Sequence, residues 1–228
     1  MESFESLLEE SAKVHGHLCP GQVVGVRMAL LGCRLIGLDN PKSREQIKKL
    51  LVYVEMDRCT ADAVAYVTGV KLGRRSLKFM DYGIMAATFL NLDTGSSYRI
   101  LSTEESRELS NIYAPEVSGK GARQIIAYEK MPDSVLFRVQ KVHVKVSELD
   151  MPGPTKQKIE CSRCGQIVRD GREVEENGQI LCKPCSGKCY FSHAREISWP
   201  GMDWSPLSGK NGKSIPDYKK GVTLGDKT

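Results

Sequence analysis

The stretch His15-Gly-His-Leu-Cys-Pro-Gly21 places two imidazoles and a thiol within five positions. In an extended segment His15, His17 and Cys19 project from one side, because alternate residues share a face. Proline suits the first turn of a helix, where its missing N–H costs nothing, so a helix is expected to begin at Pro20. The partial positive charge of a helix amino terminus lowers a thiol's pKa and favours the thiolate, the form that binds metal or attacks electrophiles. Cys59 repeats the arrangement, directly before the expected helix opening Thr60-Ala-Asp-Ala. Two such thiols with imidazoles nearby make a metal or redox centre. A plainer reading stands beside it, since a buried cysteine is a small hydrophobe and a loop histidine often serves only as a hydrogen-bonding group. Asp62, three residues after Cys59 and on the same helical face, either orients a ligand or a water or acts as a first-turn acid favouring the helix dipole.

A second set of thiols lies near the other end. Cys161-Ser-Arg-Cys164 and Cys182-Lys-Pro-Cys185 are two C-x-x-C knuckles separated by 17 residues, the spacing of a four-cysteine zinc site. Two thiolates from each close a tetrahedron, and zinc then replaces the core that so short a segment lacks. Gln166 to Val168 and Gln179 to Leu181 are expected strands, linked by a polar turn containing Asp170-Gly171 and Asn177-Gly178, and a helix is expected from Ser186. That order describes a treble-clef finger, with a simpler zinc ribbon as the close competitor. Cys189 and His193 are read as bystanders, because four cysteines already close the site.

The elements that must position these groups follow from patterning. Phe4 to Val14 is amphipathic and is expected to be a helix leading into the first cluster. On the helix from Pro20, Gly21, Gly25, Ala29 and Cys33 recur every four residues, a smooth face that lets another backbone approach closely. Leu50 to Met56 suits a buried strand, and Thr60 to Thr68 a helix ended by Gly69. Ile84 to Leu92 and Ser97 to Leu101 form an expected hairpin across Asp93-Thr94-Gly95, followed by helices over Glu104 to Tyr113 and Gly121 to Met131 and Val-rich strands ending at Val146. Helices and strands do not alternate strictly, so the expected class is α+β. Met151-Pro-Gly-Pro154 marks a boundary, giving a core over 1–150, a finger over 155–195 and an irregular basic tail over 196–228 with Trp199 and Trp204 as its large anchors.

The whole chain narrows the class further. Its 228 residues are 40% hydrophobic, enough to bury a sizeable core. The longest apolar stretch, Val23 to Leu38, is interrupted by Arg27 and Arg34, so no membrane span is expected. No charged-then-apolar leader is seen, and five of the eight cysteines fall between Cys161 and Cys189 in ligand spacing, which makes a reducing cytoplasm the expected setting. The formal charge of +5 is spread thinly, a solvated surface that gives no argument for nucleic acid as partner.

His15 to Gly21 with Gly25, the run Asp57 to Gly69 (DRCTADAVAYVTG) and the run Asp81 to Phe89 (DYGIMAATF) resemble the FmdE family, named for a component of molybdenum or tungsten formylmethanofuran dehydrogenase, from the operons of methane-forming anaerobes. Some members add a carboxy-terminal treble-clef zinc finger to an α+β core, which matches the knuckles here. The resemblance implies a homodimer whose histidine and cysteine motifs line a cleft and bind a metal, commonly zinc. Carried over by position, His17, Cys19 and Cys59 are the implied ligands with His15 the alternate, and Cys59 and Asp62 are the residues to which any catalysis falls. Relatives often have cysteine and threonine after the Thr-Gly pair, where this chain has Val70 and Lys71, so a third core thiol is lacking and dithiol redox chemistry ranks last. The implied role is an accessory of a formylmethanofuran dehydrogenase-type complex in one-carbon metabolism, not its catalytic component, since the ferredoxin-type run of cysteines is missing. The alternative is an interaction module built on the finger and tail, docking on a partner protein or, as the lesser expectation, on nucleic acid.

Overall fold

The computed structural model describes residues 2–194, so the tail and its two tryptophans lie outside the described residues. The chain divides after Gly153 into two compact units. No described helix is long and apolar enough to cross a membrane.

In the first unit, helix α1 (Phe4–His15) is capped by Ser3, whose hydroxyl accepts the Ser6 N–H, and is ended by Gly16 in the left-handed region at φ 99°. Helix α2 (Pro20–Leu35) starts at its proline as expected and buries Val23, Val24, Val26, Met28, Ala29, Leu31 and Cys33. A helix apolar nearly all round belongs in the middle of a core. Strand β1 (Leu50–Val54) leads to α3 (Cys59–Thr68), which Gly69 ends in the left-handed region. Strands β2 (Leu77–Phe79), β3 (Ala86–Asn91) and β4 (Ser97–Ser102) follow, then α4 (Glu105–Tyr113), α5 (Lys120–Lys130), the short α6 (Asp133–Leu136) and β5 (Phe137–Lys141). The sheet order is β2-β1-β3-β4-β5, parallel only between β1 and β2. This mixed architecture is α+β.

One sheet face, carrying Leu50, Val52, Val54, Ala87, Phe89 and Ile100, joins the helices in a single apolar core. The other face is crossed by residues 142–150. Val142 donates to the Ser97 carbonyl on β4, and at the far edge the Lys78 ammonium donates to the Asp150 carbonyl and Arg75 pairs with the Asp150 carboxylate. The Val-rich segment therefore departs from its expected strand. Pro132 precedes a helical turn that absorbs Val135, only 137–141 join the sheet, and the valines beyond serve as an unpaired strap with alternate residues half-buried.

Helices α2 and α3 meet along the glycine stripe. A Cβ at Gly25 would lie 2.6 Å from both the Thr60 carbonyl oxygen and the Ala63 Cβ, and one at Gly21 would lie 2.9 Å from the Cys59 Cβ. Backbone cannot give way as a flexible side chain can, so only glycine fits.

The second unit holds two small hairpins. Strands β6 (Lys158–Glu160) and β7 (Ile167–Arg169) flank the first knuckle, and β8 (Val174–Glu176) and β9 (Gln179–Leu181) run into the second. The expected pairing of the segments 166–168 and 179–181 is not what forms. Each pairs with its nearer neighbour instead, because Asn177 and Gly178, both at positive φ, make a tight turn of their own. The Ser162 N–H donates to the Ile180 carbonyl and ties the hairpins together. Turns follow Cys185, and the helix expected from Ser186 is not formed among the described residues.

Gly25→Val should destabilise the protein by about 1–3 kcal/mol through overpacking. Gly73→Val, at a site with open space, should stay within about 0.5 kcal/mol of wild type. Urea unfolding of both variants checks this, and equal stabilities would contradict the close packing described.

Candidate metal centres

Three elements converge at the first cluster. Because Gly16 reverses the chain directly after α1, His17 comes back beside His15, their ring centroids 4.9 Å apart. Cys19 is the residue capping α2, in extended conformation, and its side chain makes no capping hydrogen bond, which leaves the sulfur free for the site. One donor atom from each of His15, His17 and Cys19 lies within 4.8 Å of the others. Cys59, at the first position of α3, lies outside that trio but holds its thiol within hydrogen-bonding reach of the Cys19 thiol.

Asp62 settles which nitrogen of His15 is free. Its Oδ2 lies 2.9 Å from His15 Nδ1, so the tautomer with Nδ1–H donating satisfies that contact. Nε2 is then left buried, bearing a lone pair, with no hydrogen-bond partner. A carboxylate–histidine pair with the far nitrogen unsatisfied is the arrangement by which proteins aim an imidazole at a metal. The observed donor set, one thiol and two imidazoles, suits a borderline-soft divalent ion.

Cys59 does not gain the lowered pKa expected of a thiol at a helix start. Burial first, and then the neighbouring Cys19 sulfur, push its thiol above the ordinary range. Two sulfurs side by side cannot both ionise readily without a cation. Cys33, the remaining cysteine of the first unit, sits wholly in the apolar core away from this cluster, where burial pushes it up to about 12. It is a packing residue.

In the second unit the sulfurs of Cys161, Cys164, Cys182 and Cys185 lie within 4.8 Å of one another, and Cys164 and Cys182 are 3.7 Å apart. Thiolates about 2.3 Å from a central ion form a tetrahedron with edges of about 3.8 Å, so the spacing fits. Beyond the sulfurs the buried cluster contains only Leu181, with Val168 against it. Burial raises the Cys161 thiol, but N–H groups from Cys182, Cys164 and Arg163 outweigh it and bring it to about 6. Cys161 is thus prepared as a thiolate, whereas burial and then the crowding of neighbouring sulfurs push Cys164 and Cys185 above the ordinary thiol range.

Of the expected core ligands His17, Cys19 and Cys59, the structure brings His17 and Cys19 together and leaves Cys59 outside the trio, while the four expected cysteines of the second unit come together. His15 is expected from the sequence only as an alternate, and the Asp62–His15 contact joins residues 47 apart, which no local spacing reveals.

Fold and sites define an α+β core with a Cys/His cluster, joined in one chain to a four-cysteine finger. The family model described as "FmdE, Molybdenum formylmethanofuran dehydrogenase operon" matches residues 14–144, more than half the chain, and the chain belongs to the FmdE family. A protein of Archaeoglobus fulgidus described as a probable S-adenosyl-L-methionine-binding protein is 25% identical over 206 residues, covering 84% of this chain and 55% of that relative. The chain thus spans about half the length of this curated relative. Among solved structures, an FmdE-like protein of the tungsten formylmethanofuran dehydrogenase type, from Syntrophus aciditrophicus, is similar with a TM-score of 0.55 and 21% identity, covering 83% of this chain and 95% of that one. At this identity the likeness is one of fold.

Thiol labelling checks these environments. In metal-free protein at pH 8, iodoacetamide should modify half-exposed Cys19 first and Cys59 more slowly, because a raised pKa leaves less thiolate below it. Cys33 should stay unmodified, as only about one in ten thousand of its thiols is ionised there. Peptide mapping that finds Cys33 labelled as fast as Cys19 would contradict the packing.

Proposed function

We propose that the chain is a two-centre zinc protein of the FmdE family, with a structural zinc in the four-cysteine finger and a second zinc, or another transition metal, in the core. The observation that carries the core site is the buried, unpartnered Nε2 of His15, a residue whose Nδ1 is held by Asp62 and which is grouped with His17 and Cys19. Cys59, next to Cys19, is the fourth candidate donor or the group left free for chemistry, and Asp62 orients His15. With three protein donors and an open position, such a metal supplies Lewis acidity toward a carbonyl such as a formyl group, or toward water. His17 is exposed and Cys19 half-buried, so a ligand can reach the cluster from solvent.

The finger has no open position, and its role is to fold its own segment. Its fold is read as a ribbon or treble-clef type. The biological role that best accords with family membership is a cytoplasmic, homodimeric accessory of a formylmethanofuran dehydrogenase-type complex in one-carbon metabolism. The S-adenosylmethionine description belongs to the longer relative and is not carried over. A second reading, a protein-interaction module, is favoured by the side chains the finger leaves exposed, Ile167, Ile180, Tyr190 and Phe191.

Elemental mass spectrometry of anaerobically purified protein should find about two metals per chain, falling to about one in Cys19→Ala and in His15→Ala. Asp62→Asn should keep the finger metal and weaken the core metal about 10–100-fold in chelator competition. One metal throughout would overturn the core site.

A further inference from the structure

Gln22 is a polar residue with no exposed surface, in the first turn of the helix that Cys19 caps. A buried amide left unpaired costs about 1–3 kcal/mol for each orphaned group. Here both ends are satisfied. The side-chain oxygen accepts from the Ser11 hydroxyl at 2.5 Å, and the side-chain nitrogen donates to the Cys59 carbonyl at 2.7 Å. Since a hydroxyl donates to the oxygen and a carbonyl can only accept from the nitrogen, the partners fix which way the amide points.

This relay joins the three helices that build the core cluster. Ser11, itself buried, lies on α1 one turn before His15 and on the same face. Gln22 lies on α2, three residues after Cys19, and Cys59 opens α3. A return bond completes the clamp, with the Thr60 hydroxyl on α3 donating to the Gly21 carbonyl on α2 at 3.1 Å. Helices α2 and α3 therefore each send a side chain to a carbonyl of the other, close to its site residue.

Stability alone does not call for such a device, because replacing all the buried partners of a hydrogen bond together by apolar groups of like shape is often neutral. Directional bonds do fix what a smooth contact cannot. Glycine at 21 and 25 lets the two backbones touch, but offers no side-chain ridges to stop one helix sliding along the other. We propose that Gln22 is the positioning residue of the core site, setting the Cys19–Cys59 spacing and the placement of His15 through the Ser11–Gln22–Cys59 relay. This rests on the metal-site reading above.

The test compares full-length Gln22→Met, similar in size and apolar, with Thr68→Val, which removes another buried hydroxyl bond at the far end of α3. Cobalt(II) titration followed by visible absorption reads both metal centres, and site-resolved alkylation of metal-free protein reads Cys19 against Cys59. Gln22→Met should weaken cobalt binding at the core about tenfold or more, with the finger's binding unchanged, and should shift the Cys19-to-Cys59 alkylation ratio several-fold. Thr68→Val should alter neither. Wild-type cobalt affinity and alkylation ratio in a folded Gln22→Met protein would overturn the proposal. If Gln22→Met does not fold, Ser11→Ala, which frees one end of the relay, must move both readouts in the same direction or the proposal fails. Should wild type bind cobalt only at the finger, the metal-site reading fails, and the alkylation ratio alone decides whether Gln22 positions the thiols.

Discussion

The backbones of α2 and α3 come together at Gly25, where even a methyl group would lie 2.6 Å from the Thr60 carbonyl oxygen. That contact sets what the core centre can be. It brings the start of α2, with Cys19 at its cap, against the start of α3, with Cys59 at its first position. A larger residue at 21 or 25 would push the helices apart and separate the two sulfurs. The sheet contributes by holding α3 from beneath. The Thr60 hydroxyl, besides its bond to Gly21, touches the Met85 sulfur at 3.0 Å, directly before β3. The third element, α1, comes in through Gly16, whose left-handed turn folds His17 back on His15.

The two centres divide the work in the way their surroundings dictate. In the finger, four sulfurs and one leucine make up most of the buried cluster, so a bound ion would stand where other domains have a core. In the first unit, the apolar core is built from residues other than the Cys/His trio. The buried nitrogen of His15, without a partner and on a ring held by a carboxylate, is free to serve a ligand. Family membership agrees with this division, since the family model ends at 144, before the finger begins.

Much of this was legible in the sequence, and the reasons differ from residue to residue. The proline at 20, the glycine at 69 and the turn at 93–95 act through local backbone geometry, so the start of α2, the end of α3 and the β3–β4 hairpin could be read directly. The finger knuckles are equally local. Four features escaped for one shared reason, that nonlocal contacts decide them. Asp62 chooses His15 across 47 residues, and burial beside a second sulfur raises Cys59 against the helix dipole. The valines after 141 alternate like a strand but find no ladder partner, because β5 is the last strand of the sheet and the chain must cross to its other edge. Gln22 reads as an interruption in an apolar helix, and only its partners at 11 and 59 give it a purpose.

The central claim is that a metal sits on the free nitrogen of His15. Crystals of anaerobically purified protein, with anomalous differences recorded on either side of the zinc edge, test it most directly. Two peaks are predicted per chain, one among the four finger sulfurs and one touching His15 Nε2, His17 and the Cys19 sulfur. A single peak in the finger, with His15 Nε2 bonded to a protein group or a water, would contradict the account.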